Sequence, residues 1–369
     1  MKSKLLLTVF TSLACLLAYT MHVSAHPGWG IAVDRPGQVY FTDLESVWKI
    51  DVQGKLSPFR TSSESHTHEL NVDEAGNVYG AENSYDPATK RFFGGIWKKT
   101  PAGEFSYVLP LTDDIPEGTS IWQDREGNMY HVSGDKDREL LVLKRSPSGR
   151  VTVLAGSPNA ARQYRQGVPY GAGGVGFGPD GSLYFVREAT VSKLSVSGVV
   201  TELASNIQIN GSSADRGGKQ PTQLFGLAVD DSGSVFAADF GNHRVLKIAP
   251  DGVLTAAVTA DAPWVPTGVA TRGGSLYVLE NEVMPQNEQA RTRVRRVSAD
   301  GSVAVLATVG GETASAEDAT TSTPAAYSPA AATNAGASKY AVATATIAGA
   351  CILIMFAVYG LRKRSRVSR

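Results

Sequence analysis

Gly233-Ser234-Val235-Phe236-Ala237-Ala238-Asp239-Phe240-Gly241-Asn242-His243-Arg244-Val245-Leu246-Lys247-Ile248-Ala249-Pro250-Asp251-Gly252 holds two short patterns in succession. The first is a glycine, a polar residue, an aliphatic residue and an aromatic one (Gly233 to Phe236). The second is an aliphatic residue, a basic residue two further on and a glycine five beyond that (Val245, Lys247, Gly252). The first recurs at Gly37-Gln38-Val39-Tyr40, Gly76-Asn77-Val78-Tyr79, Gly127-Asn128-Met129-Tyr130, Gly181-Ser182-Leu183-Tyr184 and Gly274-Ser275-Leu276-Tyr277, with successive glycines 39, 51, 54, 52 and 41 residues apart. The second follows each copy, beginning at Val47, Ile96, Val142, Val191, Val245 and Val294. Its basic members are Lys49, Lys98, Lys144, Lys193, Lys247 and Arg296, and its glycines Gly54, Gly103, Gly149, Gly198, Gly252 and Gly301. Twelve matches in one register mark six copies of one structural unit.

Each unit reads as four short strands. Gly30-Ile31-Ala32-Val33-Asp34 is an apolar first strand, and Arg35-Pro36-Gly37 a tight turn in which glycine supplies the positive φ. A second strand over residues 39–42, a third near 47–50, a glycine turn and a fourth over 55–59 complete the unit. One such sheet cannot bury both its faces, whereas equal sheets stacked face to face in a ring can. The expectation is an all-β, six-bladed β-propeller with four-stranded antiparallel blades over residues 26–310. A β-sandwich does not account for six equal units.

Charge and cysteine content exclude other classes. Eight of the 35 basic residues and three of the 35 acidic ones lie in the terminal segments, leaving 27 against 32, about −5, over residues 26–311. A nucleic-acid partner needs a basic footprint and is not expected. The two cysteines, Cys15 and Cys351, sit in apolar terminal runs, so the body has neither a disulfide framework nor a cysteine metal site.

The ends carry membrane signals. Lys2 and Lys4, an apolar run over residues 5–17 and Val23-Ser24-Ala25 read as a signal peptide over residues 1–25, which makes His26 the mature N-terminus. Residues 311–339 are rich in Ala, Thr, Ser and Pro and read as a stalk. Residues 340–361 contain no charge and as a helix reach about 33 Å, enough to cross a bilayer. The basic tail, residues 362–369, places that end in the cytoplasm. The expectation is a single-pass membrane protein with one C-terminal transmembrane helix and the propeller outside the cytoplasm, a processed sorting tail being the alternative.

In an up-and-down blade the connections from strand two to three and from strand four to one emerge at the same end of the ring. Asp43, Glu82, Ser133, Arg187, Asp239 and Glu280 follow strand two, and His26, His66, His68, Trp29, Phe225 and Thr267 are among the residues that precede strand one. Of these, Asp43, Glu82, Arg187, Asp239 and Glu280 are the candidate ligand residues of the channel mouth, for a small molecule or a protein partner. The long second connections of units two (residues 83–95) and six (residues 281–293) overhang this end as lids. The four carboxylates offer oxygen ligands to a hard cation such as calcium, or else cap strand ends and pair with Arg or Lys. His66-Thr67-His68 alternates along an extended chain, which puts both imidazoles on one face, near the amine and imidazole of a free His26. These nitrogens suit copper or zinc, with Glu69 as an orienting group, or simply hydrogen-bond.

Asp239-Phe240-Gly241-Asn242-His243-Arg244-Val245, preceded by Phe225-Gly226-Leu227-Ala228-Val229-Asp230, resembles the NHL-repeat signature. The other units keep the turn glycines and aliphatic positions without the Asn-x-Arg step. The body is similar to the NHL and gluconolactonase-like (strictosidine-synthase-like) six-bladed propellers. That resemblance implies the fold and, in the gluconolactonase-like family, a central divalent cation held by carboxylate and Asn ligands that polarises a lactone carbonyl. This chain has the carboxylates without a clear Asn set, and Arg187 stands among them. The leading expectation is a membrane-anchored propeller that binds a ligand or protein partner at its mouth. The alternatives are a metal-dependent hydrolase of lactones or esters, and a copper or zinc site on His26, His66 and His68.

Overall fold

The structure, a computed structural model, describes residues 28–310 apart from residues 63–64, 87, 90, 113–120, 125, 134–139, 157–173, 188, 206, 208–221 and 283–290. The signal-peptide reading, His26, the stalk, the apolar run and the basic tail all fall outside the described residues. Among the described residues no helix is long and apolar enough to cross a membrane.

Six four-stranded antiparallel sheets follow one another along the chain. Blade one comprises β1 (Ile31–Val33), β2 (Val39–Thr42), β3 (Ser46–Ile50) and β4 (Leu56–Thr61). Blade two comprises β5 (His66–Val72), β6 (Val78–Asp86), β7 (Arg91–Lys99) and β8 (Phe105–Thr112). Blade three has β9 (Ile121–Gln123), β10 (Met129–Ser133), β11 (Leu141–Arg145) and β12 (Val151–Ala155). Blade four has β13 (Val175–Phe177), β14 (Leu183–Arg187), β15 (Thr190–Leu194) and β16 (Val200–Ala204). Blade five has β17 (Leu224–Val229), β18 (Val235–Asp239), β19 (Arg244–Ile248) and β20 (Leu254–Thr259). Blade six has β21 (Trp264–Arg272), β22 (Ser275–Glu282), β23 (Thr292–Val297) and β24 (Val303–Val309). The first strands pack in a closed circle: β1 beside β5, then β9, β13, β17 and β21, and β21 beside β1. This is the six-bladed all-β propeller expected from the repeat.

The hydrophobic core is divided among the blade interfaces. Ala32, Tyr40 and Val47 of blade one pack with Leu70, Val78 and Trp97 of blade two. Ile31, Val33 and Phe41 on the other face of blade one pack with Ala270, Tyr277, Leu279 and Val294 of blade six. Each blade is made of four consecutive strands, so the ring closes through side-chain burial at that last interface and shares no strand across it.

The two sequence patterns now have a physical cause. The aliphatic residue that opens the second pattern sits in every blade where the ladder between strands three and four shifts register, and it is buried: Val47, Ile96, Val142, Val191, Val245 and Val294. The basic residue is the direct rung partner of the first pattern's aromatic: Tyr40 faces Lys49, Tyr79 Lys98, Tyr130 Lys144, Tyr184 Lys193, Phe236 Lys247 and Tyr277 Arg296. The turn glycines have positive φ, 101° at Gly37 and 80° at Gly76. In blades one, two, three and five an aspartate organises that turn. Asp73 accepts hydrogen bonds from the backbone N–H of Ala75 (3.0 Å) and Asn77 (2.8 Å), the Asn77 amide (2.7 Å) and the Tyr79 hydroxyl (3.0 Å).

One connection differs from the sequence expectation. Residues 83–95 do not form a loose lid, because the ladder of β6 and β7 continues through Asn83–Gly94 and Ser84–Phe93 to Asp86–Arg91, extending the blade as a hairpin.

Candidate functional site

Construction of the mouth begins at the first residues of the innermost strands. Gly30, Gly174, Gly226 and Gly268 occupy equivalent positions there, and the strands converge on them. A methyl group on Gly226 would lie 2.7 Å from the Gly268 Cα, and one on Gly268 would fall on the Trp29 carbonyl. Blade two carries Glu69 at this position. Just before it, three of the inner strands bulge. The register shifts between Thr67 and Glu69, between Leu224 and Leu227 and between Pro266 and Gly268, which displaces His68, Phe225 and Thr267 from the ladder. A bulge also turns a carbonyl out of its own sheet. The Trp29 N–H donates to the His68 carbonyl (3.3 Å) and the Gly174 N–H to the Phe225 carbonyl (2.6 Å), tying blade one to two and four to five.

The side chains at this level meet over the channel. The Trp29 ring lies 5.6 Å from the His68 imidazole and 6.0 Å from the Phe225 ring, and Phe240 stands edge-on behind Phe225 at 5.4 Å. Blades one and five are separated by blade six, so the contact between Trp29 and Phe225 crosses the channel. Trp29 and His68 are buried and together with Phe225 form a floor across the mouth. His66 is exposed, with its ring 6.4 Å from that of His68. The two imidazoles are therefore neighbours, though the bulge at His68 interrupts the simple alternation that predicts a shared face. His26 lies outside the described residues.

The five candidate ligand residues stand one layer out, at the ends of the second strands. Glu82 is fully buried between blades one and two. It receives Arg60 Nη2 at 2.7 Å, the Ser65 hydroxyl at 2.8 Å and the Tyr107 hydroxyl at 2.6 Å. Burial, followed by that bond and the charge of Glu82, raises the Tyr107 pKa above its ordinary value. Asp239 accepts from Arg244 Nε (2.9 Å) and the Asn242 amide (3.0 Å). The Asn-x-Arg step is thus a clamp on one carboxylate, carried by the 3-10 turn Phe240–Asn242 and a left-handed His243 (φ 52°). Glu280 accepts from Arg293 Nε at 2.6 Å and from Arg295. Asp43 is bonded to the Ser46 N–H (2.7 Å) and the Trp48 indole N–H (2.7 Å). These carboxylates thus share one end of the ring while each is bound to its own donors. The arginine partners come from the same blade at Asp239 and Glu280 and from the preceding blade at Glu82. Among the described residues, no group of three or more His, Cys, Asp or Glu is gathered as metal ligands.

Arg187 ends β14 at the position where blades one, two, five and six put a carboxylate. It lies on the same strand face as Phe185, which packs with Tyr130 and Val132 of blade three. It is half-buried and has no ion-pair partner among the described residues.

The NHL repeat family matches residues 226–248, the first three strands of blade five. Solved structures similar to the chain include virginiamycin B lyase from Staphylococcus aureus, at 16% identity over 76% of this chain and 83% of that one with a TM-score of 0.45. A calcium-binding protein, regucalcin, from Agrobacterium tumefaciens is 15% identical over 69% of this chain and 81% of its own, with a TM-score of 0.46. A gluconolactonase from Xanthomonas campestris is 13% identical over 69% and 83%, with a TM-score of 0.45. No curated protein sequence matches the chain.

Proposed function

We propose that this chain is a binding propeller, displayed outside the cytoplasm on a membrane anchor formed by residues 340–361, whose mouth takes a flat, aromatic ligand group bearing a negative charge. The observation that carries the reading is the floor of Trp29, His68 and Phe225. Ring faces at the base of a concave mouth provide stacking of about 1 kcal/mol per pair beyond the area they bury. The surrounding charge sets the sign of the ligand. Glu82 and Asp239 are each neutralised by one arginine and Glu280 is met by two, Arg187 is unpaired among the described residues, and against these stands Asp43, which is held by neutral donors alone. A carboxylate or similar anion on the ligand meets a net positive rim.

Titration of the full-length protein in detergent with aromatic carboxylates and their neutral methyl esters, followed by tryptophan fluorescence, tests the reading. Saturable binding of the acids and at least tenfold weaker binding of the esters are expected. Arg187→Gln removes the difference, and Trp29→Ala weakens both. Equal affinities for acid and ester in the unaltered protein would sink the charge assignment, and indifference to Trp29→Ala would move the site away from the mouth. The anchor is tested separately: protease added to intact cells should degrade the propeller while an antibody epitope at residue 369 survives.

A further inference from the structure

Phe225 stands off the ladder of its own blade, because the register of β17 and β18 shifts between Leu224 and Leu227. Gly174 of blade four holds its carbonyl, and its ring rests on the connection that follows β18. Phe240 opens that connection and meets Phe225 edge-on, with centroids 5.4 Å apart and planes at 66°, an arrangement that ring quadrupoles favour.

The 3-10 turn Phe240–Asn242 is pinned on two sides. The Asn242 amide donates to both oxygens of Asp239, at 3.1 and 3.0 Å, and reaches the Thr222 hydroxyl at 3.5 Å. The Phe240 N–H donates to the Gln223 carbonyl (2.9 Å), so the turn is bound to the two residues that lead into β17. Arg244 Nε adds another bond to Asp239 (2.9 Å). Towards blade six, the His243 Nδ1–H donates to the Trp264 carbonyl (2.9 Å). The Asn-x-Arg step occurs in blade five alone among the six units, and that blade sends its ring across the channel to Trp29. Trp29 and Phe225 are 6.0 Å apart. A third ring between them would need about 7 Å, two contacts of about 3.5 Å each, so a ligand ring lies on the pair and not within it.

We infer that the blade-five turn is the positioning element of the mouth. The clamp on Asp239 fixes Phe240, Phe240 holds Phe225 against Trp29, and the closed pair makes the mouth selective for rigid, flat aromatic anions over flexible aliphatic ones. The inference rests on the reading of the mouth given above and assigns the source of its specificity. Phe240 and Asn242 are positioning residues that act through Phe225.

Isothermal titration of the full-length protein with 2-naphthoate and octanoate tests the selectivity. The unaltered protein should bind 2-naphthoate at least tenfold more tightly. Phe240→Ala should weaken 2-naphthoate at least fivefold and octanoate less than twofold, and Phe240→Tyr, which keeps the ring edge, should retain the original ratio. Phe225→Ala and the Phe225→Ala/Phe240→Ala double variant should bind alike, since the second change has nothing left to position. Equal losses of both probes in Phe240→Ala, or further weakening in the double variant, overturn the proposal. Fluorine NMR of protein labelled with 5-fluorotryptophan reads the positioning without a ligand, the Trp29 resonance being assigned by Trp29→Phe. Phe240→Ala and Asn242→Ala should shift that resonance and the remote Gly54→Ala should not. A Trp29 resonance unmoved by the first two overturns the proposal whether or not either probe binds. A shifted resonance with no binding of either probe sinks the ligand assignment of the mouth while the positioning of Phe225 stands.

Discussion

Lys49 Nζ lies 5.8 Å from the centroid of the Tyr40 ring, its rung partner on the neighbouring strand, and the same pairing recurs around the ring: Lys98 over Tyr79 at 5.7 Å, Lys144 over Tyr130 at 5.6 Å, Lys193 over Tyr184 at 5.3 Å and Lys247 over Phe236 at 5.6 Å. The basic residue of one pattern and the aromatic of the other are one cation–π contact repeated from blade to blade. In blades one to three the tyrosine hydroxyl also reaches the turn aspartate, at 3.5 Å from Asp34, 3.0 Å from Asp73 and 2.8 Å from Asp124. Burial, and then the charge and bond of Asp34, push the Tyr40 pKa up to about 12.

The turn aspartates make stability sensitive to acid. Burial acts to raise the pKa of Asp73 and Asp124, but hydrogen bonds from Asn77, Tyr79 and Ala75 to the first, and from Asn128 and Tyr130 with the charge of Lys144 to the second, prevail and hold both below the usual carboxylate value. A depressed folded pKa gives stability that is present above the unfolded value, near 4, and is lost as pH falls through the folded value. The melting temperature of the unaltered protein should fall below pH 4, and an Asp73→Asn/Asp124→Asn double variant should show a shallower fall. Parallel curves would refute the assignment.

His131 acts in a different window. Desolvation in the interior of blade three lowers its pKa to about 3. The unfolded chain takes up a proton near pH 6.5 and the folded one does not, so the stability present above pH 6.5 declines by up to about 1.4 kcal/mol per pH unit until about pH 3. His131→Phe should remove this slope between pH 6.5 and 5 in chemical denaturation. Retention of the slope would assign it to another group.

Close approach of the inner strands fixes the cost of a single methyl group. Gly268→Ala places its Cβ on the Trp29 carbonyl and 2.9 Å from the carbonyl carbon, against backbone that has no side-chain freedom to yield. A loss of about 3 kcal/mol is expected, since overpacking commonly costs 1–3 kcal/mol and this contact lies at the ring closure. Gly54→Ala, with φ 83° and nothing within 4 Å of the added carbon, should cost about 1 kcal/mol through backbone conformation alone. Equal losses at the two sites would contradict the packing argument.

Glu280 is fully buried under Arg293 and Arg295, whose side chains are themselves only 16% and 12% exposed. Glu280→Gln leaves two guanidiniums in that space without a counter-charge, and about 3 kcal/mol of destabilisation should follow. The same engagement predicts that millimolar calcium leaves the melting temperature of the unaltered protein unchanged. A calcium-dependent rise that Glu280→Gln abolishes would instead place a cation at this carboxylate.

The ring was legible in the chain because each blade repeats a local rule: a turn glycine and a cross-strand basic–aromatic rung a few residues apart. The mouth was less so. Alternation treats His66 and His68 as equivalent, whereas the bulge after Thr67 exposes one and buries the other. Arg60 and Glu82 are 22 positions apart on different blades, and no local pattern connects them. Trp29 and Phe225 face each other only because the ring closes, which places residues from its first and fifth units across the same axis. Residues 83–95 read as a loop because Gly94-Gly95 and Asn83 are poor strand formers, yet continuation of the β6–β7 ladder carried them into the sheet.

Assembly from consecutive strands also decides how the ring responds to load. The chain leaves the last blade at Val309, on its outermost strand, where the terminal rung pairs Val309 with Thr292. Tension on whatever follows falls on that rung first, and the rungs behind it break singly, in the manner of a zip, instead of resisting together in shear. β24 peels from the perimeter at low force while Trp29 and the circle of inner strands remain seated, so load applied beyond Val309 unravels the rim of the domain before it disturbs the mouth.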